Sequence, residues 1–304
     1  MNINAKSCIK TKELKGKTDI CKNIEVHLSK EYDNFTSTTD QMMDIIKKNE
    51  KANITCLHSP MDNKNGKFIN VEYFGNEEID YKWKETVKFA DKLVKYYGHE
   101  INIVVHNTCP YIYYMMMPGL LDRVIEMFKW SLEFPSINFC IENVTPINYN
   151  SNLETVRFIN GHFDDNVNLV KYLREKLNTN RIRTTLDTCH AITTVRILNK
   201  IYKDQPLDVL KKITLDKFFE INKDVIGLIH LADVEDLGFI SGQHGILFKE
   251  ERIPELYNIL DIYNKYNYDC DITIEITEKD YVKNENFKKM YPIVKEYFNN
   301  KSAT

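Results

Sequence analysis

Acidic and histidine residues stand at the ends of short apolar runs throughout this sequence. One stretch, Ile182 to Leu186, is rich in apolar and β-branched residues and ends at Asp187, and His190 follows three residues later. A carboxylate and an imidazole at such a position can face one pocket, where these groups bind metal ions or transfer protons. The same kind of ending recurs in five other runs, which finish at His58, His106, Glu142, His230 and Glu275.

Each of these residues, taken alone, has a purely structural explanation. A histidine at the end of a buried strand often makes only a structural hydrogen bond, and an acid there often caps the next helix. As a set they suggest more, because like charges in one concave site repel unless protons or a cation relieve them. Mixed ligands of this kind favour zinc, manganese or cobalt, with magnesium and iron as weaker candidates. The set comprises His58, His106, His190, His230, His244, Glu142, Asp187 and Glu275.

Seven of the apolar runs have the length and composition of β-strands. An eighth strand is expected within residues 1–22, where Ile3 to Ile9 is the candidate. The seven runs are Asn23 to Leu28, Ile54 to His58, Ile101 to His106, Asn138 to Glu142, Ile182 to Asp187, Val225 to Leu231 and Asp271 to Ile276.

Helical patterns alternate with these strands. Apolar residues recur at intervals of three and four from Ile79 to Tyr97, where Gly98 is expected to end the helix, and Pro118 starts another such pattern. Further helices are expected after Asp40, after Asp164 or Asp165, after His190, from Ile253 to Tyr266 and from Phe287 to Phe298.

Eight strand and helix units predict a (β/α)8 TIM barrel that forms a single domain over residues 1–304. In such a barrel functional residues lie at the C-terminal ends of the strands, so the acids and histidines should meet there. A doubly wound open sheet is the alternative, but the sequence has no Gly-rich dinucleotide loop and no Walker sequence to support it.

Composition narrows the classes of partner and compartment. The chain has 41 Lys and Arg residues against 44 Asp and Glu residues, a net charge of -3, which gives no overall positive field for nucleic acid or anionic lipid. Its seven scattered cysteines suggest reduced thiols in a cytoplasmic protein. No secretion signal and no membrane span are expected. The oligomeric state stays open.

Other candidate residues have simpler interpretations. Cys189 lies between Asp187 and His190, but a nucleophilic cysteine needs a histidine beside it in space, so we expect Cys189 to serve in packing. His27, His99 and His162 are interpreted as structural. The stretch from Tyr111 to Met117 either lines a substrate pocket or forms an apolar lid on a neighbouring loop. The residues with these simpler interpretations are Cys189, His27, His99, His162 and residues 111–117.

From Asn23 to Phe298 the strand endings resemble, in the same order, those of the xylose isomerase-like TIM barrel superfamily. That superfamily includes sugar isomerases, sugar epimerases and the endonuclease IV family. Its epimerases hold one metal ion with Glu, Asp, His and Glu. The resemblance implies that both glutamates transfer the proton and that His190 contacts a substrate oxygen. The matching residues are Glu142 in IEN, Asp187 in LDTCH, His230 in HLAD and Glu275 in IEI.

The LDTCH string also resembles the endonuclease IV family, which binds three zinc ions. By this resemblance His58 in LHSP and His106 in VVH join Glu142 at the first zinc, and the four epimerase-like residues hold the second. The third zinc needs His190 and an Asp-x-His pair. Here that string is Gly242-Gln243-His244, so a glycine stands at the Asp position.

These features together favour a divalent-metal-dependent isomerase or epimerase that acts on a sugar or sugar phosphate through an enediolate. His58, His106 and His244 are expected to orient substrate oxygens or to hold a second metal ion. The glycine at position 242, the negative net charge and the acidic segment Glu72 to Asp80 disfavour DNA as a partner. Two alternatives remain: a zinc phosphodiesterase that acts on abasic DNA, and a metal-binding barrel without catalysis.

Overall fold

Eight parallel strands close into a barrel, which confirms the predicted fold class. The computed structural model describes residues 1–28, 39–60, 69–144, 147–149, 156–158, 164–201, 214–234 and 253–301. The barrel strands are β1 (Ile3–Cys8), β2 (Asn23–His27), β3 (Asn53–His58), β4 (Ile101–Asn107), β5 (Ile137–Asn143), β8 (Ile182–Asp187), β9 (Ile226–Leu231) and β10 (Asp271–Ile274).

The first strand, β1, closes the ring by pairing with β10 on one side and β2 on the other. The remaining barrel strands pair with their neighbours in sequence order, all in parallel. All eight C-terminal ends therefore lie at one end of the barrel, which we call the mouth. A short antiparallel pair that the sequence patterns did not predict follows β5; it consists of β6 (Ile147–Tyr149) and β7 (Val156–Phe158).

Helices lie between the barrel strands where the sequence patterns predict them, and three further helices, Thr11–Thr18, Tyr111–Met116 and Leu215–Asn222, were not predicted. None of the helices within the described residues is both long and apolar enough to cross a membrane. The helices are α1 (Thr11–Thr18), α2 (Thr39–Lys47), α3 (Glu77–Tyr97), α4 (Tyr111–Met116), α5 (Pro118–Ser131), α6 (Asp165–Leu177), α7 (Thr188–Ile201), α8 (Leu215–Asn222), α9 (Ile253–Lys265) and α10 (Glu285–Lys301); a 3-10 turn covers Val71–Tyr73.

The longest helix, α3, shows how local sequence sets these elements. The side chain of Asn76 accepts hydrogen bonds from the backbone N–H groups of Glu78 and Ile79, which caps the start of the helix. Gly98 follows the last helical residue with φ 74°, a left-handed conformation that glycine adopts without strain. The apolar face, which includes the fully buried Trp83, packs on the barrel strands.

Inside the barrel, a small apolar layer separates two polar ends. The layer consists of buried side chains from four strands, Cys56, Val104, Cys140 and Leu228. Alternate residues of a strand point to the same face, so the residues two positions further along these strands point into the mouth. The residues two positions before Val104 and Cys140 point to the opposite, N-terminal end, where a second cavity lies. None of the seven cysteines, all of which lie within the described residues, forms a disulfide, and Cys8 and Cys109 are partly exposed rather than buried.

Candidate metal centre

Four predicted ligands meet at the mouth of the barrel. Glu142, Asp187 and His230 lie at the ends of β5, β8 and β9, and Glu275 directly follows β10. One oxygen or nitrogen atom from each lies within 4.8 Å of the others. The His230 Nδ1 atom is 3.0 Å from Glu275 Oε2, 3.2 Å from Glu142 Oε1 and 3.9 Å from Asp187 Oδ2. We call these four residues the carboxylate cluster.

A second group of ligand atoms surrounds the other oxygen of Glu142. Its Oε2 atom lies 3.2 Å from His58 Nε2 and 3.3 Å from His106 Nε2. We call these three residues the histidine cluster. Their ligand atoms also lie within 4.8 Å of one another, so they can share one ion. The two oxygens of Glu142 therefore face two different clusters, and its carboxylate can bridge them.

The electrostatics of the carboxylate cluster suit a cation. Burial alone would raise the pKa of Glu142, but the nearby His230 and His106 hold it well below its ordinary value. Burial would lower the pKa of His230, yet Glu25 and Glu142 raise it well above its ordinary value. His230 is thus the positive centre of a ring of carboxylates. A divalent ion can replace that proton and bind to the neutral imidazole.

A buried oxygen without a good hydrogen bond is a second sign that the residues fit a metal ion. Glu142 Oε2 is buried, and no side chain or backbone donor among the described residues gives it a hydrogen bond of good geometry. Leaving such an oxygen unsatisfied costs about 1–3 kcal/mol or more for a charged group. Carboxylate and imidazole ligands are those that zinc, manganese and cobalt accept, so the donor set fits a divalent metal.

Asp187, a member of the carboxylate cluster, also caps the following helix. Its Oδ1 atom accepts a hydrogen bond of 2.8 Å from the backbone N–H of His190, at the start of α7. The ring of His190 donates from Nδ1 to the backbone oxygen of Asn143 at 2.7 Å. This bond assigns the proton to Nδ1 and makes Nε2 the acceptor. His190 therefore lies beside the carboxylate cluster, 3.8 Å from Glu142, and does not belong to either cluster.

Sequence reasoning missed Glu25, a buried acid in the middle of β2. Its Oε2 atom accepts a hydrogen bond of 3.0 Å from His230 Nε2 and one of 2.7 Å from the hydroxyl of Thr273. This contact fixes the ring of His230 so that Nδ1 faces the carboxylate cluster. Burial would raise the pKa of Glu25, but His230 and Lys6 lower it to about 2. The available signal was the alternation of NIEVHL, which puts Glu25 on the same face of the strand as Asn23 and His27.

Sequence reasoning also missed Lys6, which extends from β1 into the mouth. Its ammonium nitrogen lies 2.6 Å from Glu275 Oε2 and 3.6 Å from Glu25 Oε1. Burial would lower the pKa of Lys6, but Glu275, Glu25 and Glu142 together raise it above its ordinary value. The charge of Lys6 also affects the histidine cluster. Burial and the nearby Lys6 ammonium both lower the pKa of His58.

His27, which the sequence suggested was structural, lies beside the histidine cluster. Its ring meets that of His58 edge to face, with centroids 5.1 Å apart, and burial and His58 hold its pKa well below the ordinary value. Its Nε2 atom is buried and has no hydrogen-bond partner among the described residues. His27 also lines a cavity of about 200 Å³ at the mouth, together with Lys6, Ser7, Cys8, Glu275, Ile276, Thr277 and Tyr281.

The remaining candidates fall in several places. Cys189 is buried, and burial together with Asp187 raises the pKa of its thiol, so it is a poor nucleophile. His99 is at the N-terminal end, where its ring contacts Asn53. His162, Gly242 and His244 lie outside the described residues.

The Tyr111 to Met117 stretch forms α4 and the residue after it. Tyr114 is buried and donates to Asn107 Oδ1 at 2.7 Å. The side chains that are exposed belong to Ile112, Tyr113, Met115, Met116 and Met117.

Solved structures of the same fold are known. No protein-family model matches this chain, and no curated protein matches its sequence. A D-tagatose 3-epimerase-like protein superposes with a TM-score of 0.62 at 16% identity, covering 100% of both chains. The chain has the fold of the xylose isomerase-like TIM barrels.

Two further solved structures with this fold belong to different kinds of protein. An AP endonuclease of family 2 from Brucella melitensis superposes with a TM-score of 0.58 at 12% identity, covering 96% of this chain and 99% of that one. The IolI protein, solved with a bound zinc atom, gives a TM-score of 0.57 at 11% identity and 97% coverage of both chains. The structural neighbours of this barrel thus include an epimerase-like protein, an AP endonuclease and a protein solved with bound zinc.

Proposed function

We propose that this protein is a divalent-metal-dependent isomerase or epimerase of sugars or sugar phosphates. The observation that carries the proposal is the approach of Glu142 and Glu275 to one point from two different walls of the barrel. Both carboxylates lie within 3.2 Å of His230 Nδ1. Two carboxylates at one site can exchange a proton with a substrate carbon held between them. The epimerase-like structural neighbour supports this choice of substrate class.

The proposed metal ligands are Glu142, Asp187, His230 and Glu275. A divalent ion at this position supplies Lewis-acid polarisation of a carbonyl oxygen and of the hydroxyl on the adjacent carbon. Carboxylate-rich donors suit manganese or cobalt, and zinc is also accommodated; the zinc-bound neighbour is consistent with a divalent ion.

The chain's own residues carry the proton. One of the two glutamates removes the proton from the carbon between the carbonyl and the hydroxyl, which gives an enediolate. The other glutamate returns a proton to carbon and so completes isomerisation or epimerisation. In its neutral form, His190 can accept a hydrogen bond from a substrate hydroxyl at Nε2, because Nδ1 donates to Asn143. In this proposal His58 and His106 orient other substrate oxygens.

Solvent isotope exchange tests this function. The purified protein, loaded with manganese, is incubated with a panel of ketoses and their phosphates in deuterated water. Deuterium should enter the carbon next to the carbonyl, and elemental analysis of the same sample should find a divalent metal. Lack of exchange with every sugar, with metal present, would instead favour a metal-binding barrel without catalysis.

A zinc phosphodiesterase that acts on abasic DNA is the second candidate, and the intact histidine cluster favours it. A nuclease of this type needs several zinc ions to activate water and stabilise the leaving oxygen. Cleavage of an abasic-site duplex by the zinc-loaded protein, with no deuterium exchange into sugars, would replace the first proposal with this one.

A further inference from the structure

The lysine in the mouth of the barrel has no role in the mechanism described so far. Lys6 comes from β1, and its side chain is mostly buried, with 14% exposed. Its ammonium nitrogen contacts Glu275, a proposed metal ligand and proton carrier, and Glu25, which fixes His230. A lysine at this position adds a permanent positive charge at neutral pH to a site that is built to hold metal cations.

The balance of charge in the mouth depends on this lysine. Four carboxylates, those of Glu25, Glu142, Asp187 and Glu275, lie within 3.9 Å of the ring nitrogens of His230. With Lys6 and one divalent ion, three positive charges face these four negative charges. With Lys6 and two ions, five positive charges would face them, an excess of cations in a buried site.

The ligand geometry, by contrast, offers places for two ions. The carboxylate cluster and the histidine cluster share Glu142. Within each cluster, one ligand atom from every residue lies within 4.8 Å of the others, which is close enough for a shared ion. The histidine cluster has only the shared Glu142 carboxylate as an anionic ligand, since His58 and His106 are neutral ligands when they bind metal. It is therefore the weaker of the two, and additional positive charge nearby disfavours it first.

We propose that Lys6 takes the place of a second divalent ion, so that the protein binds one metal ion, at the carboxylate cluster, and leaves the histidine cluster to contact substrate. This inference rests on the metal site of the proposed function. By its contact with Glu275 Oε2, Lys6 also fixes the direction of that carboxylate.

Metal titration tests the inference without any measurement of activity. Metal-free wild-type protein, Lys6→Met, Lys6→Arg and the control Lys88→Met are titrated with manganese by calorimetry, and bound metal is counted by elemental analysis after desalting. Lys88 carries an exposed charge on α3, where it pairs with Glu85. Wild type, Lys6→Arg and Lys88→Met should each bind one ion with similar affinity.

Lys6→Met should bind its first ion at least about tenfold more tightly and should accept a second ion. Equal stoichiometry and affinity in Lys6→Met and wild type would overturn the inference and leave the proposed function intact. Two ions bound by wild type would also overturn it, and this result requires no variant to fold. If wild type binds no divalent ion, both the inference and the proposed function fail.

Discussion

The two ends of the barrel interior are both polar, and they differ in how their polar groups are satisfied. At the N-terminal end, amide side chains donate to neighbouring oxygens: Asn53 Nδ2 donates to Asn23 Oδ1 at 2.9 Å, and Asn138 donates to the Glu100 carboxylate at 3.0 Å. At the mouth, acids crowd around His230, and Glu142 Oε2 has no well-formed hydrogen bond within the described part of the chain.

Cavity size does not distinguish these ends. The cavity at the N-terminal end is about 360 Å³, larger than the one of about 200 Å³ at the mouth. What distinguishes them is charge and ligand chemistry. The polar groups described at the N-terminal end pair through hydrogen bonds, whereas carboxylates gathered around one imidazole at the mouth favour binding of a cation. This difference supports our proposal that the mouth carries the function, while the hydrogen bonds at the opposite end contribute to stability.

The largest expected effect is at Glu275. Glu275→Gln removes a proton carrier with little change in shape, so turnover in the isotope-exchange assay should fall by about 10²- to 10⁴-fold. The matched control, Glu100→Gln, makes the same change at the N-terminal end and should keep full activity. Full activity in Glu275→Gln would show that the proton-transfer assignment is wrong.

Substitutions in the two clusters should have different effects on manganese affinity. Glu142→Gln weakens both, since its two oxygens face different clusters, and manganese affinity should fall by more than the ~10- to 100-fold typical of a residue that only orients a ligand. His106→Ala alters only the histidine cluster and should leave the affinity of the first ion close to wild type. Calorimetric titration measures both, and an equal loss in the two variants would contradict this division.

Acid stability of the metal-free protein should depend on Glu25. Because its folded-state pKa is about 2, below the ordinary 4.5, its carboxylate stabilises the fold fully above about pH 4.5 and progressively less as the pH falls toward 2. Glu25→Gln removes this dependence, so its melting temperature should decline less than that of wild type over this range. Differential scanning calorimetry at a series of pH values measures these melting temperatures, and the control Glu100→Gln should follow wild type. If the melting temperatures of wild type and Glu25→Gln fall in parallel with pH, the assignment to Glu25 is wrong.

The smallest effect is expected at the N-terminal end. Asn53→Ala breaks the hydrogen bonds to Asn23 and His99 and should lower the free energy of unfolding by about 1 kcal/mol. Urea denaturation measures this loss. Manganese affinity should stay at the wild-type value, and a change in it would mean that the two ends are not independent.

Much of the fold was predictable because strands and helices have different apolar periods. The predicted runs are barrel strands in the structure, among them the runs that end at His58, His106, Glu142, Asp187 and His230. The candidate first strand is present as Ile3–Cys8 and closes the ring. Prediction placed the end of α3 correctly because Gly98 is a strong local signal. The β6 and β7 pair was not predicted, since three-residue strands are too short to show a period.

The sequence by itself determined which residues stand at the ends of strands, because chain order and periodicity suffice for that. Only the tertiary structure decided that Lys6 and Glu25, which lie before the ends of their strands, also reach the mouth. Ring closure places β1 between β10 and β2, so that Lys6 meets Glu275, while Glu25 meets His230 of β9 across the barrel interior. Residues 205 or more positions apart in the chain interact there, and no local pattern records such a contact.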